Sequence, residues 1–537
     1  MPEREGWRAL VPVPVVDMKL LRSTFVIGGF TAVSRVLGFV REMLLAAALG
    51  AGPVAEAFVV AFRFPNLFRR FFAEGAFNSA YIPLYSRALE GDGENEAREF
   101  ARDTLSVLIV VLAGLTVLAQ IFMPMIIRLI APGFVDDPGL FGMAVLFTQI
   151  TMPYLLLVSL TAMMGGTLNA HDRFAVSAAA PILLNIVMIS VLLLAPPGAE
   201  TTGLWITIAV PVSGVLQAAM LFWGCRRSGI RLGLRLPRLT PKVRRLIALG
   251  VPGAIAGGVT QINIVISQMI ATLQDGAVAL LYYADRLYQL PLGVIGIAMG
   301  VALLPALSKR LRAGDSDGAD STMNRAIEIS MALTLPATAA LIAMPGLLVE
   351  GLFQRGAFTA ENAEATRLAV QAFAVGLPAF VLIKVFSPGF FAREDTATPM
   401  KFAAVSMILN IAIGAAAFFC VRDFAPDRGH VALAAATSFA GWVNAILLAV
   451  FLKRRGGLNL DKRLMRALPR LALATALAGG GMAVIANYSS ELTSWAFESR
   501  LVTAILASMA GLTLYALLAL ITGGVRISEL RLAFTRG

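Results

Sequence analysis

Apolar runs of about 20 residues, the length that crosses a ~30 Å hydrocarbon core, recur along the whole chain. They predict fourteen membrane-spanning helices, at roughly 24–49, 56–86, 104–130, 143–168, 175–196, 203–224, 246–271, 278–307, 326–349, 368–390, 402–420, 431–452, 471–487 and 501–523. Turn-forming stretches separate them, among them "APGFVDDPG", "APPGAETTG", "RAGDSDGADS" and "REDTATP". The predicted fold class is an all-α integral membrane protein. Residues 1–17 are polar and Pro-rich and read as a disordered extension, and the first span reads as a retained signal-anchor, with no typical cleavage site after a short apolar core.

Composition agrees with this pattern. Of 537 residues 58% are hydrophobic and 15% charged, against about 25% charged in ordinary soluble domains. Fourteen spans place both termini on one side. The loops and termini of that side carry 32 of the 45 lysines and arginines, and the opposite loops carry 5. By the positive-inside rule both termini are expected to be cytoplasmic in a multi-pass membrane protein. The net charge of +12 is therefore an orientation signal facing anionic membrane lipids, and no nucleic-acid partner is expected. Cys225 and Cys420 cannot make a disulfide framework. His171 and His430 fall in predicted loops on opposite sides, so no metal site is expected.

The chain repeats itself. Pro83 and Pro305, Gly133 and Gly356, Asp172 and Asp395, and Asn185 and Asn410 are matched at offsets of 222–225 residues. Six spans separate the copies, so both have the same orientation, a parallel pseudo-twofold repeat about the membrane normal. The expected domains are an extension at 1–17, a six-helix lobe at 18–230, a second at 231–455, and a helix pair with a cytoplasmic tail at 456–537.

Charges inside spans are few and clustered. The first span holds Arg35, Arg41 and Glu42, the second Arg63, Arg69, Arg70 and Glu74 with Glu56 at its entrance, and the eighth Asp285 and Arg286. Each charge near a bilayer centre costs about 2.5–3.5 kcal/mol on insertion scales. Arg35 and Glu42 are seven apart and share a helix face; Arg70 and Glu74 are an i,i+4 pair. Pro65, Gly75 and Pro83 predict a bent or broken second helix. Structural ion pairs are the plainer account of Arg70–Glu74 and Asp285–Arg286, and snorkelling suits Arg128 and Lys384. Neither absorbs the surplus of cations. The repeat sets spans 2 and 8 face to face, so a cationic cavity between the lobes follows, and arginine suits phosphate because its planar fork binds two oxygens. The polar groups of span 7, Gln261, Asn263, Ser267 and Gln268, read as helix-packing positions. No nucleotide cradle and no Ser–His–Asp or Cys–His set is present, so no catalytic residue and no cofactor is expected. Ligand gradients, the membrane potential or a monovalent cation remain as energy sources.

The segments "SRVLGFVRE", "AFRFPNLFRRFFAEGAFNSAYIP", "APGF" and "YYADRLYQLPLGVIGIAMGVALLP" resemble the MurJ (MviN) family, the lipid II flippases of bacterial peptidoglycan synthesis. The resemblance covers residues 18 to about 525. It implies two six-helix lobes plus a C-terminal pair, a fold shared with multidrug antiporters and polysaccharide flippases. It implies that Arg35, Arg41 and Arg286, with Arg63 where relatives often have lysine, line a central cationic cavity. It implies functional roles for Arg69, Arg70, Glu74, Glu56, Glu42 and Asp285, and a lipid-tail groove at spans 13–14. Some relatives bind sodium near spans 7 and 11; Asn410 stands there without an acid in span 11. The expected function is flipping of lipid II, an undecaprenyl-pyrophosphate-linked disaccharide-pentapeptide, by alternating access, with peptidoglycan synthesis and division proteins as partners. The alternative is an exporter of another undecaprenyl-linked oligosaccharide. A polyprenyl-phosphate enzyme would need a paired-acid or histidine site, and a drug antiporter an acidic one.

Overall fold

The computed structural model of the chain describes residues 18–69, 80–495 and 498–525, and among them there is helix and no strand. The helices are α1 (Met18–Leu49), α2 (Pro53–Arg69), α3 (Ile82–Arg87), α4 (Glu94–Ile130), α5 (Pro138–Thr151), α6 (Tyr154–Ala170), α7 (Phe174–Leu194), α8 (Ala199–Arg227), α9 (Pro241–Ala271), α10 (Ala277–Arg312), α11 (Ser316–Ala343), α12 (Pro345–Phe353), α13 (Ala360–Phe391), α14 (Ala397–Phe424), α15 (Gly429–Arg454), α16 (Lys462–Asn487), α17 (Ser489–Trp495) and α18 (Arg500–Ile521). Among the described residues, ten segments are long and apolar enough to cross a bilayer. The expected first, seventh and eighth spans coincide with α1, α9 and α10, and the second begins on α2 and ends on α3; these are not among the ten. Arg70 and Glu74, with the side chain of Arg69, lie outside the described residues.

Helix ends follow local chemistry. Asp137, Thr240, Asp315, Thr359, Asp461 and Ser499 accept backbone N–H bonds in the first turns of α5, α9, α11, α13, α16 and α18, groups a helix cannot satisfy internally. The fourth expected span is two helices, α5 and α6, parted at Met152–Pro153, where proline supplies no N–H. The ninth ends early at Ala343, before Pro345 starts α12. Asp395, in the turn before α14, accepts from the Thr398 hydroxyl and N–H and pairs with Arg455. The Thr398 bonds, then Arg455, push its carboxyl down to about 2. Its stabilising share is thus present above the usual carboxylate range near pH 4 and is lost only as pH falls through about 2.

Packing repeats between the two halves. In residues 18–227, α1 packs on α7, α7 on α8, α6 on α8 and α2 on α5; in 241–454, α9 packs on α14, α14 on α15, α13 on α15 and α10 on α13. With α5 and α6 together matching α13, the pairings correspond. Helices α7 and α14 each bury the same small share of their apolar window, 17%, so each is an outer, lipid-facing helix of its half. Outside the repeat, α16 packs on α11 and α18, and α18 on α12.

The halves meet at the face poor in lysine and arginine, and they meet reciprocally. Gly133, in the turn after α4, lies on the end of α9: its N–H donates to Thr272 Oγ1 (3.2 Å), and a Cβ there would sit 1.9 Å from the Thr272 carbonyl oxygen. Gly356, the repeat partner of Gly133, lies on the end of α1. It has φ +56°, a Cβ there would sit 2.3 Å from the Ala47 carbonyl oxygen, and the next residue, Ala357, donates its N–H to that oxygen (2.8 Å). At the basic face, Arg235 in the segment joining the halves pairs with Asp103 of α4, and Lys242 pairs with Asp92 and Glu96, both at 2.9 Å.

Both glycines permit backbone contact that any side chain would wedge apart. Gly133→Ala and Gly356→Ala are expected to loosen this face. The readout is labelling of Ala51→Cys, 4% exposed in the parent, by a membrane-impermeant thiol reagent on a Cys420→Ser background. Both variants should label faster than the parent; equal rates would mean that the close approach does not hold the face shut.

Candidate substrate cavity

Between the halves lies a cavity of about 590 Å³, lined by Arg41, Arg63 and Arg286 with Asp285 as its acid. Helix α1 supplies Arg41, α2 supplies Arg63 and α10 supplies Arg286. The described contacts of Arg41 and Arg286 are mostly with neutral groups. Arg41 donates to Asn185 Oδ1 (3.0 Å) and to Glu42 Oε1 (2.5 Å), and lies 5.7 Å from the Phe62 ring centroid. Arg63 donates to Gln268 Oε1 (3.3 Å). Arg63 and Arg286 both face the ring of Tyr282, at 5.3 and 4.6 Å. Cation–π contacts of this kind contribute about 0.5–2 kcal/mol, more when desolvated.

Tyr282 is the hub. Its ring takes two arginines and its hydroxyl donates to Glu42 Oε1 (2.9 Å). Asn185 fixes the other side of Arg41, because its amide nitrogen donates to the Ser34 carbonyl (2.9 Å) and so turns its oxygen toward the guanidinium. Within this cluster two buried polar atoms have no hydrogen-bond partner among the described residues, Glu42 Oε2 and Arg286 Nε. In a low-dielectric site such groups attract complementary ligand atoms strongly.

The sequence comparisons bear on what this site serves. A family model described as lipid II flippase MurJ matches residues 45–506. The chain is 43% identical over 520 residues to the probable lipid II flippase MurJ of Rhizobium tropici, covering 96% of each, and 44% identical over 526 residues to that of Rhizobium meliloti, covering 97% of each. The chain belongs to the MurJ family. Its fold also matches a solved lipid II flippase MurJ in an inward closed conformation, with TM-score 0.72 and 24% identity over 90% of this chain and 97% of that one. An inward-facing multidrug resistance MATE transporter of the MOP superfamily matches with TM-score 0.67 and 13% identity over 79% and 94%; both likenesses concern the fold.

Against the expectations for a MurJ-family cavity, Arg41, Arg63 and Arg286 converge and Arg35 does not line the space. Arg35 is exposed, with its guanidinium beside Gly293, seven residues after Arg286 on α10. Glu42 pairs with Arg41, not with Arg35 a helical repeat away, because it is buried toward Tyr282. Asp285 forms no ion pair with Arg286 among the described residues and accepts from Gln289 instead. Glu56 is far from the arginines in role: it is 2% exposed at the charge-poor face, where the Val278 N–H at the start of α10 donates to its Oε1 (3.1 Å). A carboxylate from one half thus caps a helix N-terminus of the other. Gln261, Asn263, Ser267 and Gln268, expected as packing groups, line the cavity. There Asn410 donates to Asn263 Oδ1 (3.0 Å) and accepts from Thr437 (3.3 Å), a neutral amide–hydroxyl set. His430 is not in a loop: it is fully buried in the first turn of α15, its ring between Gln274 and the Ala365 carbonyl, held there by the two partners its two nitrogens need.

Glu42 is the carboxylate bonded to Arg41. Glu42→Ala should lower stability by about 3 kcal/mol, the cost of stranding a buried charge, read as a reduced melting temperature of the purified protein. Tyr282→Phe, which keeps the ring, should cost less than half as much. Equal losses would mean that the hydroxyl, not the ion pair, holds the cluster.

Proposed function

We propose that this chain moves lipid II from the cytoplasmic to the outer leaflet of the bacterial inner membrane, as the names of its relatives suggest. The observation that carries the proposal is the convergence of Arg41, Arg63 and Arg286 around Tyr282 in one cavity between the halves. Three planar guanidiniums suit the oxygens of a pyrophosphate, while Arg35 of α1 lies outside the space, beside Gly293 of α10. Both termini are cytoplasmic in this proposal. The charge-poor face is then the outer one, and the closed contacts there, Gly133–Thr272, Ala357–Ala47 and Glu56–Val278, leave access from the cytoplasm. Alternating access would break these contacts and close the basic face, with the halves 18–230 and 231–455 rocking about the repeat axis. The exposed apolar residues of α16 and α18, such as Leu473, Leu477, Leu506 and Met509, would keep the polyprenyl tail in lipid. No catalytic role or cofactor enters. The membrane potential, worth about 2.3 kcal/mol per charge per 100 mV, or a monovalent cation supplies the energy. Peptidoglycan synthesis and division proteins would supply and consume the lipid.

The test is leaflet-resolved accessibility of lipid II in cells depleted of this protein, using an external lytic probe that cleaves only flipped lipid II. Wild type should restore cleavage. Arg41→Ala and Arg286→Ala should lower it about 10–100-fold, the loss of one charged hydrogen-bonding partner, with membrane insertion unchanged. Wild-type cleavage by both variants would overturn the cavity's role, and cleavage that persists on depletion, with no other flippase present, would favour another undecaprenyl-linked oligosaccharide.

A further inference from the structure

The helices of residues 18–227 enclose a second cavity, of about 500 Å³, within the usual range of small-molecule sites of about 300–1,000 Å³. It follows one face of α6 from Tyr154 to Asn169, a rise of about 22 Å at 1.5 Å per residue, with α7 and α8 as walls and Ile27 of α1 and Asn66 of α2 in front. Among the described residues, no lysine, arginine, aspartate or glutamate lines it. Its polar groups are amides and hydroxyls, chiefly Asn66, Thr161, Asn169, Ser177 and Gln217.

Two of these groups have unused hydrogen-bonding capacity. Gln217 is 3% exposed and has no hydrogen-bond partner among the described residues. Its amide atoms are not among the fully buried unpartnered ones, so the amide opens onto the cavity. Asn169 accepts from the Ser177 hydroxyl (2.7 Å), and its amide nitrogen has no partner among the described residues. The cavity joins the arginine site, because Asn66 and Leu184 line both.

Lipid II has three kinds of group near its pyrophosphate. The polyprenyl chain is apolar and gains nothing from a lining of amides. The peptide carries ionised groups, whose burial among neutral side chains is costly. The sugar bonded directly to the pyrophosphate is uncharged, and bears one free hydroxyl and an N-acetyl group with one donor and one acceptor. We propose that this second cavity is a binding subsite for that N-acetylated sugar, entered while the pyrophosphate lies on Arg41, Arg63 and Arg286. The subsite rests on the lipid II hypothesis. Gln217 pairs with the N-acetyl group, Asn169 with the sugar hydroxyl, and the neutral walls exclude the charged peptide.

The test compares two ligands on the purified full chain in lipid nanodiscs: lipid II, and undecaprenyl pyrophosphate, which has the same tail and pyrophosphate and no sugar. Two variants address the cavity, Ala162→Leu, which occupies its lumen, and Gln217→Glu, which is isosteric and places a charge in it. Each should bind lipid II about tenfold more weakly, the scale of one or two hydrogen bonds, and bind undecaprenyl pyrophosphate within about twofold of the parent, which also serves as the folding control. Unchanged lipid II affinity in both variants, or equal losses for both ligands, would overturn the subsite and leave the flippase hypothesis standing. A parent protein that binds neither ligand would overturn the flippase hypothesis and the subsite with it.

Discussion

Everything in the central site depends on holding guanidinium charge inside a membrane-embedded bundle without cancelling it. A carboxylate for every arginine would stabilise the fold and leave nothing for an anion. A bare arginine would cost several kcal/mol and pull in water or lipid headgroups. The chain takes an intermediate course. Glu42 meets Arg41 with one oxygen, while Tyr282, Phe62, Gln268 and Asn185 position the guanidiniums through rings and neutral dipoles. Neutral partners orient a cation and leave its charge in place. Because these partners sit on α1, α2, α7, α9 and α10, the geometry is set by helix packing and not by a mobile loop.

The repeat builds a symmetric scaffold, and the site is where the symmetry stops. Asn185 and Asn410 hold corresponding places on α7 and α14, and each reaches the first helix of its half. Asn185 grips α1 through Ser34 and Arg41, whereas Asn410 grips α9 through Asn263, with Thr437 behind it. The same joint carries a charge in one half and a neutral amide in the other. Gly133 and Gly356, by contrast, keep the same task in both copies, each seating a turn on the far half's carbonyl. Structural duties are conserved across the repeat and chemical duties are not, which is why the cationic site is built from α1, α2 and α10 and not from two equal sets.

Much of this was legible in the sequence. Spans are fixed by runs of apolar residues, and the repeat by constant offsets, because both are one-dimensional signals. Proline explains the departures, at Met152–Pro153 and before Pro345, where a long apolar run conceals a helix break. Charge surplus and the facing of spans 2 and 8 pointed to a cationic cavity in general, and the set Arg35, Arg41, Arg63 and Arg286 came from the family resemblance. What sequence could not supply was the direction of each side chain. Arg35 and Arg41 sit in one motif, yet one faces α10 beside Gly293 and the other the cavity. Tyr282 was present in "YYADR" and gave no signal, since an aromatic beside an arginine is usually packing. The polar residues of α9 looked like packing groups because hydropathy cannot tell a helix facing a neighbour from one facing a void. The second cavity is invisible in sequence for the same reason: glycine and alanine on α6 and α7 read as close packing whether or not the space is filled.

The closed face gives a sense of how transport could be driven on the proposed mechanism. Its contacts are backbone hydrogen bonds such as Ala357 to Ala47 and a carboxylate on a helix N-terminus, Glu56 to Val278. Each is worth about 1 kcal/mol net, or up to about 3 where a charge takes part. A few such contacts sum to several kcal/mol, close to the ~5.5 kcal/mol that moves a two-state equilibrium from 1:99 to 99:1. A pyrophosphate on three arginines forms charged hydrogen bonds of the same total size. Ligand binding at the cluster and closure at the far face are therefore matched in magnitude. A much stronger closure would trap the protein on one side, and a much weaker one would leave both faces open to leak. Among the described residues no ion pair joins the halves at that face, in contrast to Arg235–Asp103 and Lys242–Glu96 at the basic one, and this keeps its strength within reach of a single bound ligand.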